Sequence, residues 1–360
     1  MRPLIAFAAL AWISVYARAG EPDAYDWNLP KGFPKPRVPA DNPMTTAKVE
    51  LGRYLFYDTR MSVNGKASCA TCHKQELAFT DGRAAAIGAT GESHSRSAMS
   101  LVNIAYSGAL TWSNPNMTQL EDQALVPMFG ERPVELGRRE GDGFLSRLRS
   151  ETKYRELFGK AFPGESEPFT TANVTKAVAC FERSIISARS PYDRYHYGGE
   201  DHAVPYAAKR GEILFFSQNI ACFRCHGGFN FSDASVSDRS TRRSIEFHNT
   251  GLYSPYPAPN FGIYEFTHDP ADIGKFKTPT LRNVAVTAPY MHDGSARTLE
   301  DVLDHYAAGG RAHDNPNKDP LVHGFALSKE ERADLAAFLQ SLTDEELLND
   351  RRFSNPWPSK

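Results

Sequence analysis

The chain has 360 residues, of which 41% are hydrophobic and 23% are charged. This balance excludes a disordered or low-complexity protein, because enough apolar surface is available to build real cores. The 41 basic and 43 acidic residues give a net charge of −2, which provides no basic surface for nucleic acid. Five cysteines are too few for a disulfide scaffold at this length, and typical domain sizes suggest about two domains.

Residues 1–19 have the pattern of a secretory signal peptide. Arg2 supplies a positive charge, an apolar run extends from Leu4 to Val15, and Ala17-Arg18-Ala19 forms a cleavage site of the A-x-A type. The apolar run is short for a membrane span, and no other long apolar run follows it. We therefore expect an exported protein without a membrane span, in which residues 20–45 form an N-terminal extension.

Four of the five cysteines fall in two copies of the pattern C-x-x-C-H. Two thiols at this spacing form thioethers to the vinyl groups of a c-type haem, and the adjacent imidazole ligates the iron. One copy alone could also be half of a zinc site or a redox pair. Two copies in an exported chain favour two haem c groups. The predicted haem-binding residues are Cys69, Cys72 and His73 in the first copy and Cys222, Cys225 and His226 in the second.

The two haem motifs lie in an internal repeat. Each follows a segment with the pattern G-x-x-L-F, at Gly52–Phe56 and at Gly211–Phe215, which predicts a helix leading into the haem loop. Apolar residues at helical spacing predict a closing helix in each half, from Val174 to Ile185 and from Leu335 to Leu342. Ser328 and Glu331 form a capping box before the second of these helices.

A duplicated fold follows from this repeat. Ser190–Asp193 is expected to break the first closing helix, and Tyr197–Asp201 is the predicted linker between domains. We predict an N-terminal cytochrome c-like domain over residues 46–196, a C-terminal one over residues 200–345, and a tail over residues 346–360. The proline-rich stretch Tyr253–Pro259 is expected to be an irregular loop. Strand signals are few, so the predicted fold class is mainly α, with two cytochrome c-like domains that each carry one covalently bound haem and are joined by long loops.

Two further segments point to a family. Lys277–Asn283 has the sequence K-T-P-T-L-R-N, and Thr287–Gly294 has the sequence T-A-P-Y-M-H-D-G. With both haem motifs, they make the chain resemble the bacterial dihaem cytochrome c peroxidase and MauG superfamily over nearly all of its mature length. Phe129–Gly137 and His94–Leu101 are most similar to the methanobactin-associated, MauG-like (MbnH) branch. The resemblance implies a periplasmic oxidoreductase that consumes hydrogen peroxide.

The resemblance places peroxide cleavage at the N-terminal haem, beside a glutamine, a proline and a glutamate. The matching residues are Gln123, Pro127 and Glu135, with Glu135 as the acid/base that moves a proton between the peroxide oxygens. The interval from Pro127 to Glu135 is two residues longer than usual, so Glu131 is the alternative. His94 lies roughly where typical members carry a blocking histidine, but its neighbourhood departs from that motif. We expect His94 on the distal side or at the surface, with the first haem open.

The resemblance also implies a sixth ligand for the second haem iron, 17 residues after the proline of a T-x-P motif. That proline is Pro289, and the expected ligand is Tyr306, where typical peroxidases carry methionine. An anionic phenolate favours oxidised iron, whereas a thioether favours Fe(II). Met291 and His305 are the alternative ligands.

Electron exchange between the haems is expected to pass through Trp112, which matches the inter-haem tryptophan of the family 11 residues before Gln123. In MauG a surface tryptophan two residues before the second haem motif carries oxidation to the protein substrate. Ile220 occupies that position here, so the exit route is expected to differ.

The resemblance implies one calcium ion between the domains. The family holds it with an asparagine side chain and two backbone carbonyls, and oxygen ligands of this kind suit Ca²⁺. The matching residues are Asn103, Thr287 and Pro289.

Three functions are compatible with these residues. The first is an enzyme that uses peroxide to form a high-valent, bis-Fe(IV)-type state shared by both haems and oxidises a partner protein, with a tryptophan side chain as the expected target. The alternative is a cytochrome c peroxidase supplied with electrons by a small cytochrome, which Tyr306 disfavours because the methionine-ligated haem for electron entry would be lost. A non-catalytic electron carrier is disfavoured by Gln123, Pro127 and Glu135, since a carrier needs no pocket.

Overall fold

The computed structural model describes residues 25–241 and 244–358, and the predicted signal peptide lies outside these residues. The described chain is mainly helical, as predicted. Its α-helices are α1 Thr46–Tyr57, α2 Cys69–Cys72, α3 Leu120–Gln123, α4 Leu125–Phe129, α5 Phe144–Ser150, α6 Thr152–Ala161, α7 Thr171–Ser184, α8 Pro191–His196, α9 Tyr206–Phe215, α10 Tyr264–Thr267, α11 Leu299–Ala307, α12 Lys329–Gln340 and α13 Glu345–Asn349. The 3-10 turns are Thr59–Met61, Gln75–Leu77, Ile104–Tyr106, Cys222–Arg224, Pro270–Asp272 and Val284–Val286.

Strand structure is confined, within the described ranges, to one small antiparallel ribbon. It consists of β1 Phe247–His248 and β2 Phe276–Lys277, with Phe247 paired to Lys277 and His248 to Phe276. The rest of the chain between helices is irregular, including the proline-rich stretch Tyr253–Pro259, as predicted. No helix in residues 25–241 or 244–358 is both long and apolar enough to cross a membrane.

The same close helix crossing occurs in both halves and explains the repeated glycine. A Cβ atom on Gly52 of α1 would lie 1.9 Å from the carbonyl oxygen of Ala177 in α7. A Cβ atom on Gly211 of α9 would lie 2.0 Å from the carbonyl oxygen of Asp334 in α12. Both distances are far below van der Waals contact, so only glycine permits either pair of helices to approach this closely.

Helices α7 and α12 form where apolar residues at helical spacing predicted the two closing helices. Their ends differ slightly from the predicted ones. Ile185 and Leu342 lie beyond the last helical turns, although both side chains are fully buried. The predicted capping box forms at the start of α12, where Ser328 N donates to Glu331 Oε2 at 2.7 Å. Ser190–Asp193 differs from the prediction, because α7 already ends at Ser184. The segment instead starts α8, since Ser190 and Asp193 cap its N-terminus reciprocally.

Each half has its own hydrophobic cluster. The first packs around Leu51, Leu55, Phe158 and Val174, and the second around Phe215, Phe338 and Leu339. The C-terminal tail returns to the first half: Tyr57 Oη donates to Phe353 O at 2.6 Å, and Trp357 Nε1 donates to Tyr54 O at 3.1 Å. The tail is therefore a structural part of the N-terminal half, which the sequence alone did not indicate.

A buried ion pair joins α8 to the K-T-P-T-L-R-N segment. The Arg282 guanidinium, whose side chain is fully buried, donates to both carboxylate oxygens of Asp193 at 2.8 and 2.9 Å. We expect Arg282→Met to lower the free energy of unfolding by about 3–5 kcal/mol, because it leaves the Asp193 carboxylate buried without its cation.

Urea titration of the holoprotein measures this loss. The matched control is Arg194→Met, which removes a pair with Glu200 whose side chains are about half exposed and 3.5 Å apart. We expect the control to cost no more than about 1 kcal/mol. Equal losses of unfolding free energy in the two variants would show that the buried Arg282–Asp193 pair stabilises the protein no more than an exposed pair does.

Candidate active site

The first haem motif is carried by the short helix α2 and the turn that follows it. His73 Nδ1 donates to the carbonyl oxygen of Phe79 at 2.8 Å. This bond fixes the imidazole orientation and leaves Nε2 available for iron. Burial lowers the pKa of His73, which favours the neutral imidazole that binds metal.

The second motif reproduces the same arrangement. His226 Nδ1 donates to the carbonyl oxygen of Phe231 at 3.0 Å, and burial lowers the pKa of His226 as well. In both motifs a residue in the left-handed region, Phe79 at φ 61° and Phe231 at φ 50°, turns its carbonyl toward the imidazole. Both cysteine pairs and both histidines therefore fit covalent attachment and proximal ligation of haem c.

A largely apolar cavity adjoins the second motif. Cys222, Cys225 and His226 line it, and so does Tyr306 from α11. The remaining lining is rich in aliphatic and aromatic side chains, among them Leu299, Leu303, Leu335, Leu339 and Phe215. An apolar cavity that also contains two thiols, an imidazole and a phenol fits a haem.

Tyr306 and its two alternatives occupy different places around this cavity. Burial, and then the neighbouring Cys225 and Cys222 thiols, raise the pKa of Tyr306, so its phenolate form needs a bound cation. Met291 also lines the cavity. His305 Nε2 donates to Thr250 O at 3.0 Å, and His305 is not among the residues that line this cavity.

Two polar residues of the cavity were not selected as site residues from the sequence. Lys277 is buried there, and burial lowers its pKa to about 8. His292 is buried too, and its ring stacks on Phe276 at 3.8 Å between centroids. Both belong to the two segments on which the family resemblance rests, and that membership could have marked them as site residues. The Lys277 Nζ atom donates to Ser107 Oγ at 3.3 Å.

Backbone contacts bring together the chain segments beside the first motif. Leu136 N donates to Pro127 O at 2.9 Å, and Arg138 N donates to Met128 O at 2.8 Å, so the irregular segment carrying Glu135 lies along α4. Ala89 N donates to Glu135 O at 2.7 Å and brings the loop before His94 against the same segment.

Glu135 and His94 face each other where these segments meet. The Glu135 Oε1 atom lies 3.4 Å from His94 Nε2, and the two side chains are 30% and 24% exposed. Cys72 Sγ lies 3.8 Å from Ile87 O, two residues before Ala89, whose N donates to Glu135 O, so Glu135 lies close to the first motif. Glu131, the alternative acid/base, is exposed on the turn before this segment.

Gln123 is the last residue of α3, one turn before Pro127 in α4. Its side chain is half-buried. Arg183 of α7 anchors α3 by donating to both carboxylate oxygens of Glu121 at 3.1 Å. The structure thus brings Pro127, Glu135 and His94 together near the first motif, with Gln123 on the adjoining helix.

Trp112 lies between the chain segment that follows His94 and the cavity of the second motif. Its Nε1 donates to Ser97 O at 3.0 Å, and its own carbonyl oxygen accepts from Lys277 N at 2.9 Å. Trp112 also lines the cavity. This position is compatible with the predicted relay.

Asn103 fits the predicted calcium site poorly. It is buried, and its Oδ1 accepts from Ser187 N at 2.8 Å while its Nδ2 donates to Ser187 O and to Asn230 Oδ1. These bonds use the side chain to join two parts of the fold. Thr287 and Pro289 line the same cavity as Asn103. The calcium ion stays a prediction from the resemblance, and no chemical step is assigned to it.

The chain is similar to known proteins over most of its length. Residues 46–202 match the family described as di-haem cytochrome c peroxidase. Methylamine utilization protein MauG from Methylophilus methylotrophus is 34% identical, over 89% of this chain and 90% of its own. Cytochrome-c peroxidase IdrP1 from Denitromonas iodatirespirans is 34% identical, over 94% and 93%. A solved structure of a MauG-like protein associated with microbial copper homeostasis is 45% identical, with a TM-score of 0.91, over 93% of this chain and 100% of that one.

Proposed function

Because the chain belongs to the di-haem cytochrome c peroxidase family, we propose that this peroxide-dependent dihaem oxidoreductase oxidises a partner protein in the periplasm. The observation that carries the proposal is Tyr306 in the cavity of the second haem motif, where a methionine would suit electron entry. Similarity to MauG and to a MauG-like protein supports protein oxidation, and the predicted signal peptide supports the periplasm. We take a tryptophan side chain of the partner as the target.

The bound haems supply O–O bond cleavage and storage of the two oxidising equivalents. In our proposal His73 and His226 hold the two irons, and Tyr306 is the sixth ligand of the second. Each cysteine pair fixes its haem covalently. The family's two haem sites then correspond to domains 46–196 and 200–345, a division supported by the repeated helix crossing.

Glu135 performs the proton transfer in this scheme. Its carboxylate would take a proton from one oxygen of hydrogen peroxide and return it to the other, which would leave as water. His94, 3.4 Å away, orients the carboxylate. Gln123 and Pro127 limit the space beside it and order the peroxide.

Trp112 is the proposed relay between the two haem sites. We expect Trp112→Phe to leave haem attachment unchanged but to confine the oxidising equivalents to the first site, because phenylalanine is much harder to oxidise than indole. Rapid-mixing optical spectra of the two haems measure this directly. Ser97→Ala is the control, because it alters the residue that accepts the Trp112 Nε1 bond but keeps the indole and the backbone carbonyl. If the oxidising equivalents still reached both haem sites in Trp112→Phe as in the wild type, the relay role of Trp112 would be contradicted.

The alternative is a peroxidase that reduces peroxide with electrons from a small cytochrome, supported by the cytochrome-c peroxidase relatives. A periplasmic extract from a strain lacking this protein can separate the two functions. We expect holoprotein plus peroxide to add oxygen to a tryptophan of one extract protein, detected by peptide mass spectrometry, and Glu135→Gln to abolish the change. Peroxide consumption only with reduced cytochrome, and no modified peptide, would favour the alternative.

A further inference from the structure

Two tyrosines extend from the wall of the second cavity to the protein surface. Tyr256 is buried and packs with Leu252 and Phe276. Leu252 and Phe276 both line the cavity that contains Tyr306. Trp112, the proposed relay, packs against the same cluster. Tyr256 is therefore separated from the second haem site by one layer of side chains.

Tyr253 continues the path outward. Its ring centroid lies 5.6 Å from that of Tyr256, in an edge-to-face arrangement, and its side chain is partly exposed. Tyrosine and tryptophan side chains can be oxidised by one electron, whereas Ile220, at the position of the surface tryptophan in MauG, cannot. The tyrosine pair thus offers a connection between the cavity and solvent.

The Asp293 carboxylate is positioned to accept a proton from Tyr253. The Tyr253 hydroxyl donates to Asp293 Oδ2 at 2.5 Å. Burial raises the pKa of Asp293, but the Tyr253 bond and the adjacent His292 outweigh burial and hold the pKa below its ordinary value. A phenol gives up an electron readily only when its proton leaves at the same time, and an ionised carboxylate at hydrogen-bond distance can accept that proton.

The loop around Tyr253 is held in place by its own contacts. Asn315 Nδ2 donates to Tyr253 O at 2.6 Å. Exposed prolines at positions 255, 257 and 259 fix the backbone φ angles of the stretch beyond it. A rigid, exposed loop can present Tyr253 to another protein with little rearrangement.

We propose that Tyr256 and Tyr253 carry oxidising equivalents from the second haem site to the surface, with Asp293 as the proton acceptor, so that the partner protein is oxidised at Tyr253. This inference rests on the proposed function, since hydrogen peroxide at the haems supplies the oxidant. In each one-electron step Tyr253 gives an electron to the oxidised haem pair, and its O–H bond breaks as Asp293 takes the proton. The electron crosses the packed Tyr256 ring without oxidising it, because the Tyr256 hydroxyl donates to the amide oxygen Asn249 Oδ1, which cannot take a proton. An electron from the partner's side chain then restores Tyr253, and Asp293 returns the proton.

The test uses diferric holoprotein, one equivalent of hydrogen peroxide and no partner. We expect wild-type protein to show a tyrosyl radical by electron paramagnetic resonance while the haem spectra return to the ferric form. Tyr253→Phe should lose this signal and prolong the oxidised haem spectra, and Asp293→Asn should weaken it. The matched control is Tyr264→Phe, which alters a half-buried tyrosine that packs on Phe261 outside the pair.

A second measurement needs no variant. In wild-type protein the radical trap 2-methyl-2-nitrosopropane should form an adduct on the peptide that contains Tyr253, identified by mass spectrometry. An undiminished radical in Tyr253→Phe, or adducts only elsewhere, would overturn the relay. If peroxide fails to change the haem spectra of the wild type, the proposed function itself fails, which distinguishes the two outcomes.

Discussion

Replacing Glu135 by glutamine is expected to slow the reaction of the diferric protein with hydrogen peroxide by about 10²–10⁴-fold, the usual contribution of a general acid/base. The amide cannot take the proton from the bound peroxide or return it to the leaving oxygen. Glutamine keeps the shape of the side chain beside His94, so haem content and the ferric spectrum should stay near those of the wild type. Stopped-flow absorbance after mixing with peroxide measures the rate.

Glu131→Gln is the matched control, because Glu131 is exposed four residues before Glu135. We expect it to react at nearly the wild-type rate. The opposite ranking would move the acid/base role to Glu131. If neither variant changed the rate, proton transfer would have to run through water or His94, and the assignment of this pocket would be wrong.

Tyr306→Met is expected to raise the reduction potential of the second haem by about 0.1–0.3 V, a part of the roughly 0.8 V over which axial ligands set haem potentials. A thioether stabilises Fe(II), whereas a phenolate stabilises oxidised iron. The oxidised state formed with peroxide should therefore decay faster in the variant. Spectroelectrochemical titration gives the potential, and rapid-mixing spectra give the lifetime.

Met291→Leu is the control for this variant, because Met291 lines the same cavity. It should leave the potential of the second haem nearly unchanged. A large shift in Met291→Leu together with no shift in Tyr306→Met would make Met291 the sixth ligand.

Much of the fold could be predicted because the repeat and its periodicity are local signals. The G-x-x-L-F segments predicted α1 and α9, and the structure gives the physical reason, since Gly52 and Gly211 lie against the backbones of α7 and α12. The relationship to the dihaem peroxidase and MauG superfamily, inferred from both haem motifs and two further segments, is confirmed.

Contacts between distant parts of the chain could not be predicted. The C-terminal tail packs on α1, and Arg282 pairs with Asp193 in a buried site, but neither contact has a periodic pattern. Ser190–Asp193 was expected only to end a helix, because a capping box and a helix break use the same residue types.

The candidate site also contains some residues that the sequence could predict and others that only the structure reveals. The haem motifs follow from their own spacing and Tyr306 was predicted from the resemblance to the family, whereas the choice between Glu135 and Glu131 depends on the path of a loop whose length differs from the family pattern. That path is set by backbone bonds to Pro127 and Ala89. The Tyr253–Asp293 pair joins two segments far apart in the sequence, so it can be recognised only from the structure.

The central claim is that both haem sites share the oxidising equivalents of one peroxide molecule without prior reduction. Its most direct test is the addition of one equivalent of hydrogen peroxide to fully oxidised holoprotein, followed by optical and Mössbauer spectra that resolve both irons. We predict that both irons change together and that, with no partner present, the product returns only slowly to the ferric form as Tyr253 is oxidised. A reaction that occurs only after the second haem has been reduced, or a change at the first iron alone, would contradict the claim.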